Sequence, residues 1–258
     1  LKNLFTTKFS TEDELSALTG VPVVGHLHHN RTSDSLVVRN GNTSAAVELF
    51  RYVRNNVQFM LSGNGGKLVL VTSSVSGEGK SFVSLNLAAA FALLGKRVAL
   101  VGMDVRSPKL AEMVSSLRST PGITAFLSQQ DTTIADITQH CSEVDGLDIF
   151  VGGAIPPNPS ELLLSDRTEQ LLSELRQAYD IVVVDSAPVA MVSDTFALSR
   201  FADVTLYVTR ADYTRRSMVK YLNRVVADGQ LVNVGAVIND TKPSREYSYG
   251  QGYGIGDD

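Results

Sequence analysis

Six short apolar runs, rich in β-branched residues, set the narrowest limit on how this chain folds. They lie at 68–71, 98–101, 147–151, 181–184, 204–208 and 234–238. Strands that are apolar on both faces must be covered on both, which is the habit of parallel sheets. Helical patterns fill the intervals at about 80–95, 108–118, 159–178, 191–201 and 215–229. Alternating strand and helix predict a doubly wound, mainly parallel α/β sheet flanked by helices, with right-handed crossovers. A length of 258 residues suits one large domain of this kind with a sizeable core.

The first run opens the most informative segment. Leu68-Val69-Leu70-Val71 passes into Thr72-Ser73-Ser74-Val75-Ser76, then Gly77-Glu78-Gly79-Lys80-Ser81, then a helical pattern over 82–94. Strand, glycine-bearing loop, Gly-Lys-Ser and helix are the context of a P-loop, so the expected fold is P-loop NTPase-like. Gly77 and Gly79 let the backbone turn its N–H groups toward phosphate oxygens, and the helix N-terminus adds partial positive charge. Lys80 is expected to reach the β- and γ-phosphates of ATP, and Ser81 to offer a hydroxyl to Mg²⁺. The nucleotide-binding stretch is therefore Ser76, Gly77, Glu78, Gly79, Lys80, Ser81 and Phe82. Ser74 departs from the pattern, standing where its first glycine falls.

Two later runs end in acids. The run at 181–184 leads into Asp185-Ser186-Ala187-Pro188, and an acid there can join the Mg²⁺ shell in such folds. The run at 98–101 leads through Gly102 and Met103 to Asp104-Val105-Arg106-Ser107-Pro108. Because the P-loop helix joins the first strand to this one, the two are expected to be neighbours. Asp104 then faces the γ-phosphate region and polarises an attacking hydroxyl, or else caps the next helix. Lys80, Asp104 and Asp185 are the catalytic candidates; Ser81, Asp104 and Asp185 are the metal candidates.

Before the P-loop the pattern is less specific. Ser10-Thr11-Glu12-Asp13-Glu14 offers a capping-box start for a short helix, and 21–25 reads as a short extended piece. His26, His28 and His29 suggest either a metal site or a solvated loop. Val47, Phe50, Val53, Val57 and Met60 or Leu61 recur at helical spacing until Ser62-Gly63-Asn64-Gly65-Gly66 stops them. Farther on, Asn158-Pro159-Ser160-Glu161 opens a helix with Asn158 as its cap. The net charge of -4 carries no whole-chain basic footprint, so nucleic acid is not an expected partner. The single cysteine, Cys141, excludes a disulfide within the chain and reads as a structural thiol. From about Lys242 the tail is rich in Gly, Ser and Tyr and is expected to be mobile. Its Tyr247, Tyr249 and Tyr253 are either acceptor phenols able to reach an active site or part of a sticky, disordered end.

These motifs resemble, over almost the whole chain, the cytoplasmic domain of bacterial tyrosine kinases (BY-kinases) of capsule and exopolysaccharide production. The resemblance rests on the P-loop, on Asp104-Val105-Arg106-Ser107-Pro108 as a Walker A′ motif, and on Asp185 with Ser186-Ala187-Pro188 as Walker B. It also rests on Pro156-Pro157-Asn158-Pro159-Ser160-Glu161-Leu162-Leu163 and on the tyrosine tail. It implies an ATP- and Mg²⁺-dependent protein-tyrosine autokinase whose tail tyrosines are phosphorylated in trans within a ring-shaped homo-oligomer. Glu48, Arg51 and Arg54 match the family's E-x-x-R-x-x-R helix and imply contacts between protomers, although a solvated charged face has the same spacing. Asn239 matches a position where related ATPases recognise adenine.

The resemblance further implies a membrane partner at the inner face of the bacterial inner membrane. That partner is either a transmembrane activator or an N-terminal membrane region of the parent chain, just outside Leu1-Lys2-Asn3-Leu4-Phe5. The implied organisation is an N-terminal arm and oligomerisation helix (1–62), a kinase core (63–241) and a tyrosine tail (242–258). Gly102 stands where the family often has a second acid. Other readings are a dimeric ATPase of the partitioning kind and a scaffold that binds ATP with little chemistry. The former usually carries a lysine five residues before the one matching Lys80, where this chain has Val75.

Overall fold

The structure, a computed structural model, describes residues 7–62 and 67–242. In chain order its elements are α1 (Glu12–Leu18), β1 (Val23–His28), α2 (Ala45–Ser62), β2 (Leu68–Ser73), α3 (Lys80–Ala92), β3 (Val98–Gly102), α4 (Leu110–Met113), α5 (Ile123–Ser128), α6 (Ile134–Ile137), β4 (Gln139–His140), β5 (Leu147–Phe150), α7 (Pro159–Leu163), α8 (Asp166–Ala178), β6 (Ile181–Asp185), α9 (Asp194–Ser199), β7 (Val204–Arg210), α10 (Arg216–Ala227) and β8 (Val234–Thr241).

All six apolar runs are strands. Among the described residues they join β1 and the two-residue β4 in one sheet of order β1-β8-β7-β2-β6-β3-β5-β4, parallel throughout except for the β4–β5 pair. Because side chains alternate along a strand, each run feeds two cores. Val69 and Val71 of β2, with Val98 and Leu100 of β3, pack under α2 and α3. Leu68 and Leu70, with Ala99 and Val101, face α5, α7 and α8 instead. The P-loop helix α3 is sunk in this arrangement, with every residue of Lys80–Ala92 buried except Phe82. A helix of Leu and Ala on all sides is suited to that position.

One expected neighbour is wrong. β3 does not pair with β2; β6 lies between them, with Leu70 opposite Val184 on one side and Leu100 opposite Val183 on the other. The β2–α3–β3 crossover steps over one strand, and the sequence-remote β6 fills the gap. The insertion brings Asp185 to the carboxyl end of the sheet beside both the P-loop strand and Gly102.

Several local expectations also change. The helix expected over 108–118 is only Leu110–Met113, because Val114 turns extended (φ -130°, ψ 118°) and buries its side chain in the core. The one expected over 159–178 is two helices. Ser165 is extended at the N-cap position of α8, makes no cap bond to that helix, and donates its hydroxyl back to the Leu162 carbonyl at 2.7 Å, a local bond that competes with helix continuation. Asn158 precedes α7 but makes no side-chain cap bond. At α1 the capping residue is Thr11, whose hydroxyl accepts from the Glu14 N–H, while Glu14 reaches back to the Ser10 N–H at 2.7 Å.

The histidines lie on β1 and just beyond it rather than in a loop. His26 Nδ1 is 2.6 Å from Glu12 Oε2, and His28 Nδ1 is 3.1 Å from Thr241 Oγ1. Among the described residues no group of three or more His, Cys, Asp or Glu is arranged to hold a metal. Cys141 is buried beside Glu143, and that burial pushes its thiol up.

Candidate active site

The P-loop turns on two glycines. Gly77 and Gly79 have φ of 89° and 92°, values that side-chain-bearing residues rarely adopt. Ser74, at the irregular position, has no positive φ, so the backbone there makes no demand for glycine. Its hydroxyl instead pairs with the Tyr207 hydroxyl at 3.0 Å in the core. Among the described residues no oxygen accepts from the N–H groups of Gly77, Glu78 and Gly79. Unspent donors ahead of a helix N-terminus are what a phosphate chain requires, so the loop fits a nucleoside triphosphate.

Lys80 and the two strand-end acids meet directly below this loop. Lys80 Nζ lies 2.7 Å from Asp104 Oδ2 and 3.7 Å from Asp185 Oδ1, with all three side chains at most 10% exposed. Burial alone would lower the Lys80 pKa; Asp185 and Asp104 outweigh it and hold the ammonium above its ordinary value. Burial pushes Asp185 up, and attraction to Lys80 offsets only part of that rise. Ser84 Oγ donates to the Asp185 carboxylate at 3.4 Å, and Lys80 Nζ donates to Ser81 Oγ at 3.4 Å, which brings that hydroxyl beside the two acids. Asp104 does not cap the next helix, whose cap position is Lys109; its Oδ1 accepts from the Ser107 N–H at 3.1 Å in the turn before it, while Oδ2 faces Lys80.

Ser81, Asp104 and Asp185 thus converge, and their hard oxygens suit Mg²⁺. Two carboxylates do not complete a shell; phosphate oxygens and water would supply the rest. Gly102 contributes nothing to it. A Cβ there would meet Leu110 Cδ1 at 3.1 Å, Gly152 N at 3.2 Å and Phe150 O at 3.3 Å. A side chain at 102 would therefore need Leu110 and the backbone at 150–152 to give way.

Two depressions flank the loop. One, of about 380 Å³, runs from Lys80 and Asp104 past Ser107 to Glu112 and Met113. The other, of about 200 Å³, is bounded by His29, Phe82, Arg210, Asn239 and Asp240. Asn239 is buried, and its amide donates to the Glu78 carbonyl at 3.0 Å. Phe82 stands edge-on to Phe50 of α2, with centroids 5.8 Å apart.

The Glu78 side chain turns inward, away from the ligand side. It accepts from the Val75 N–H at 2.9 Å and from the Thr214 hydroxyl, and burial raises its pKa. Tyr213 and Arg210 also reach the loop: Tyr213 OH donates to the Ser76 carbonyl and Arg210 Nη1 to the Gly77 carbonyl, both at 2.9 Å. Sequence reading missed these three partners, since nothing in a motif ties residues more than 130 positions apart.

A further network joins the segment after Asp104 to α7 and α9. Arg106 Nε donates to Asp194 Oδ2 at 2.9 Å and Arg106 Nη2 to Ser160 Oγ at 2.8 Å. Ser160 Oγ in turn donates to Asp194 Oδ1 at 2.9 Å.

The α2 charges divide. Glu48 and Arg51 are exposed and paired with each other, while Arg54 donates to the Ala90 carbonyl at the end of α3. Tyr247, Tyr249, Tyr253 and the Leu1–Phe5 segment lie outside the described residues.

Residues 69–250 match the CobQ/CobB/MinD/ParA nucleotide binding domain. The tyrosine-protein kinase YwqD of Bacillus subtilis (strain 168) is 32% identical over 228 residues, 88% of this chain and 94% of that protein. The chain belongs to the bacterial tyrosine-kinase family. EpsB of Ralstonia solanacearum is 36% identical over 240 residues, 92% of this chain, but the chain spans only 31% of EpsB. The BceF tyrosine kinase domain superposes with a TM-score of 0.80 at 27% identity, covering 91% of this chain and 100% of that one. Among the described residues no helix is long and apolar enough to cross a membrane.

Proposed function

We propose that this chain is the catalytic domain of a tyrosine autokinase, transferring the γ-phosphoryl group of ATP to tyrosines of its own C-terminal tail. The observation that carries the reading is the contact of Lys80 Nζ with Asp104 and Asp185 beneath a loop of unspent N–H donors. The loop amides bind and orient the phosphate chain, and Lys80 follows the transferring group with positive charge. Asp104 receives the phenol proton as the tyrosine oxygen–phosphorus bond forms and the bond to the ADP oxygen breaks. Ser81, Asp104 and Asp185 would hold Mg²⁺, which neutralises charge on the phosphates when bound. Catalysis on this reading is positioning and electrostatics. Asn239 and the depression beside it take the adenine end.

Residues 63–241 form the kinase core of this reading, 1–62 its arm and oligomerisation helix, and 242–258 its substrate tail. Transfer occurs in trans within a ring, with the exposed Glu48 and Arg51 at the protomer contact and Arg54 behind them. The parent protein or a transmembrane activator holds the assembly at the inner membrane, where it regulates exopolysaccharide or capsule production. Each tail phosphate adds about -1.5 to -2 charges, which favours ring disassembly. Intact mass and phosphosite mapping after incubation with Mg-ATP test the core claim. Phosphate on Tyr247, Tyr249 or Tyr253 that is absent from Lys80→Met is expected; ATP binding without phosphate on any tyrosine, activator supplied, would refute it. Native mass spectrometry before and after phosphorylation tests the ring.

A further inference from the structure

Three consecutive P-loop residues are each gripped by one turn between β7 and α10. Ser76 is held through its carbonyl by Tyr213, Gly77 through its carbonyl by Arg210, and Glu78 through its carboxylate by Thr214. We propose that this turn is a positioning device for phosphate binding, with Tyr213 and Arg210 as the positioning residues that keep the P-loop amides aimed at the ligand. The proposal rests on the P-loop as the phosphate site and not on transfer to tyrosine.

A trans peptide is planar, and its N–H points opposite to its C=O. Fixing the Ser76 carbonyl toward Tyr213 therefore turns the Gly77 N–H away from the turn. Fixing the Gly77 carbonyl toward Arg210 does the same for the Glu78 N–H. Those are two of the donors that no described residue uses. Left alone, a loop with glycines at φ of 89° and 92° has wide conformational freedom, so its aim must be selected from outside.

The selection is tight on both sides. A Cβ on Gly77 would lie 2.9 Å from the Tyr213 hydroxyl, and one on Gly79 would lie 2.2 Å from Asn239 Nδ2. The two positioning residues also set each other. The Arg210 guanidinium lies 5.1 Å from the Tyr213 ring centre, and its Nε donates to Asp240 at 2.8 Å.

Tyr213 is 41% exposed, so its ring adds little to the core. A role in stability would be expected of a buried ring; this one spends its hydroxyl on the P-loop. That separates positioning from folding and makes the proposal testable with mild variants.

The test uses the full 258-residue chain with Tyr213→Phe, Arg210→Lys and the double variant. Three quantities are measured: ADP affinity by calorimetry with Mg²⁺, backbone amide order parameters at 76–79 without nucleotide, and the thermal midpoint. The loss of one hydrogen bond predicts ADP binding about two- to tenfold weaker per single variant. The order parameters at 76–79 should fall, and the midpoint of Tyr213→Phe should stay within about 2 °C. If transfer is measured, Tyr213→Phe should raise KM for ATP with kcat nearly unchanged. Unchanged ADP affinity and order parameters in the double variant would overturn the proposal. So would an affinity loss that appears only with a midpoint drop of about 5 °C or more, which marks a merely structural turn. Wild-type chain that binds ADP yet phosphorylates no tyrosine would sink the autokinase reading and leave this one to be judged by the variants.

Discussion

Lys80→Met should unbalance the buried charges in a way that depends on pH. The wild-type side chain lies 2.7 Å from Asp104 and 3.7 Å from Asp185, and all three are nearly out of water. Methionine keeps most of the volume and removes the charge, leaving two buried carboxylates facing each other. Breaking a buried ion pair from one side costs about 3–5 kcal/mol, which for a domain near this size is roughly 6–20 °C in the thermal midpoint. That cost holds only while Asp185 is charged. Asp185 already titrates above its ordinary value, and Lys80 is the largest influence pulling it down, so the substitution drives it higher still. A carboxyl raised in the folded state contributes its stability below the unfolded pKa and loses it as pH climbs through the folded one. Lys80 itself, raised in the wild type, stays protonated across this window and adds no slope. The stability gap between wild type and variant should therefore be small near pH 5 and widen steadily toward pH 8. Urea unfolding of both proteins at pH 5, 6.5 and 8 measures it. A gap that is constant, or that narrows as pH rises, would refute the charge argument.

Other substitutions probe separate parts of the site. Gly79→Ala should weaken ADP binding by more than about tenfold in calorimetry, because its Cβ would lie 2.2 Å from Asn239 Nδ2. Gly95→Ala, with a similar φ of 80° but nothing within 4 Å, should leave binding intact. Gly102→Ala should cost about 1–3 kcal/mol in urea unfolding, the usual penalty for overpacking, since three atoms lie within 3.3 Å of the new carbon. Asp194→Ala removes the acceptor shared by Arg106 and Ser160. It should cost about 1–3 kcal/mol and lower kcat, as Arg106 stands two residues beyond Asp104; an unchanged kcat would dissociate that network from the site.

Much of this was readable because burial leaves a mark on composition. The continuous runs at 98–101 and 181–184 are fully buried strands, and the acids that follow them, Asp104 and Asp185, converge on Lys80. Spacing along the chain carries no information about which strand is inserted where, so β6 between β2 and β3 was invisible. The break at Ser165 had a signal, a serine followed by Asp166 and Glu169 in a first turn, but the apolar periodicity ran across it. The halt at Val114 had none, because its cause is a tertiary pocket. Arg210, Tyr213 and Thr214 belong to no recognisable pattern, and only the fold brings them against residues 76–78.

Both margins of the sheet are poor templates for growth. At one end β4 offers two residues, antiparallel to everything beyond β5. At the other, β1 has two register shifts against β8 and a glycine at φ 145°. A second copy laid alongside either margin would find an interrupted row of backbone partners. Among the described residues, any association between copies would thereby be left to side-chain faces, whose attraction is short-ranged and responds to added charge. An assembly made that way can be taken apart by modification, whereas one stitched through continuous backbone ladders would have to be unfolded.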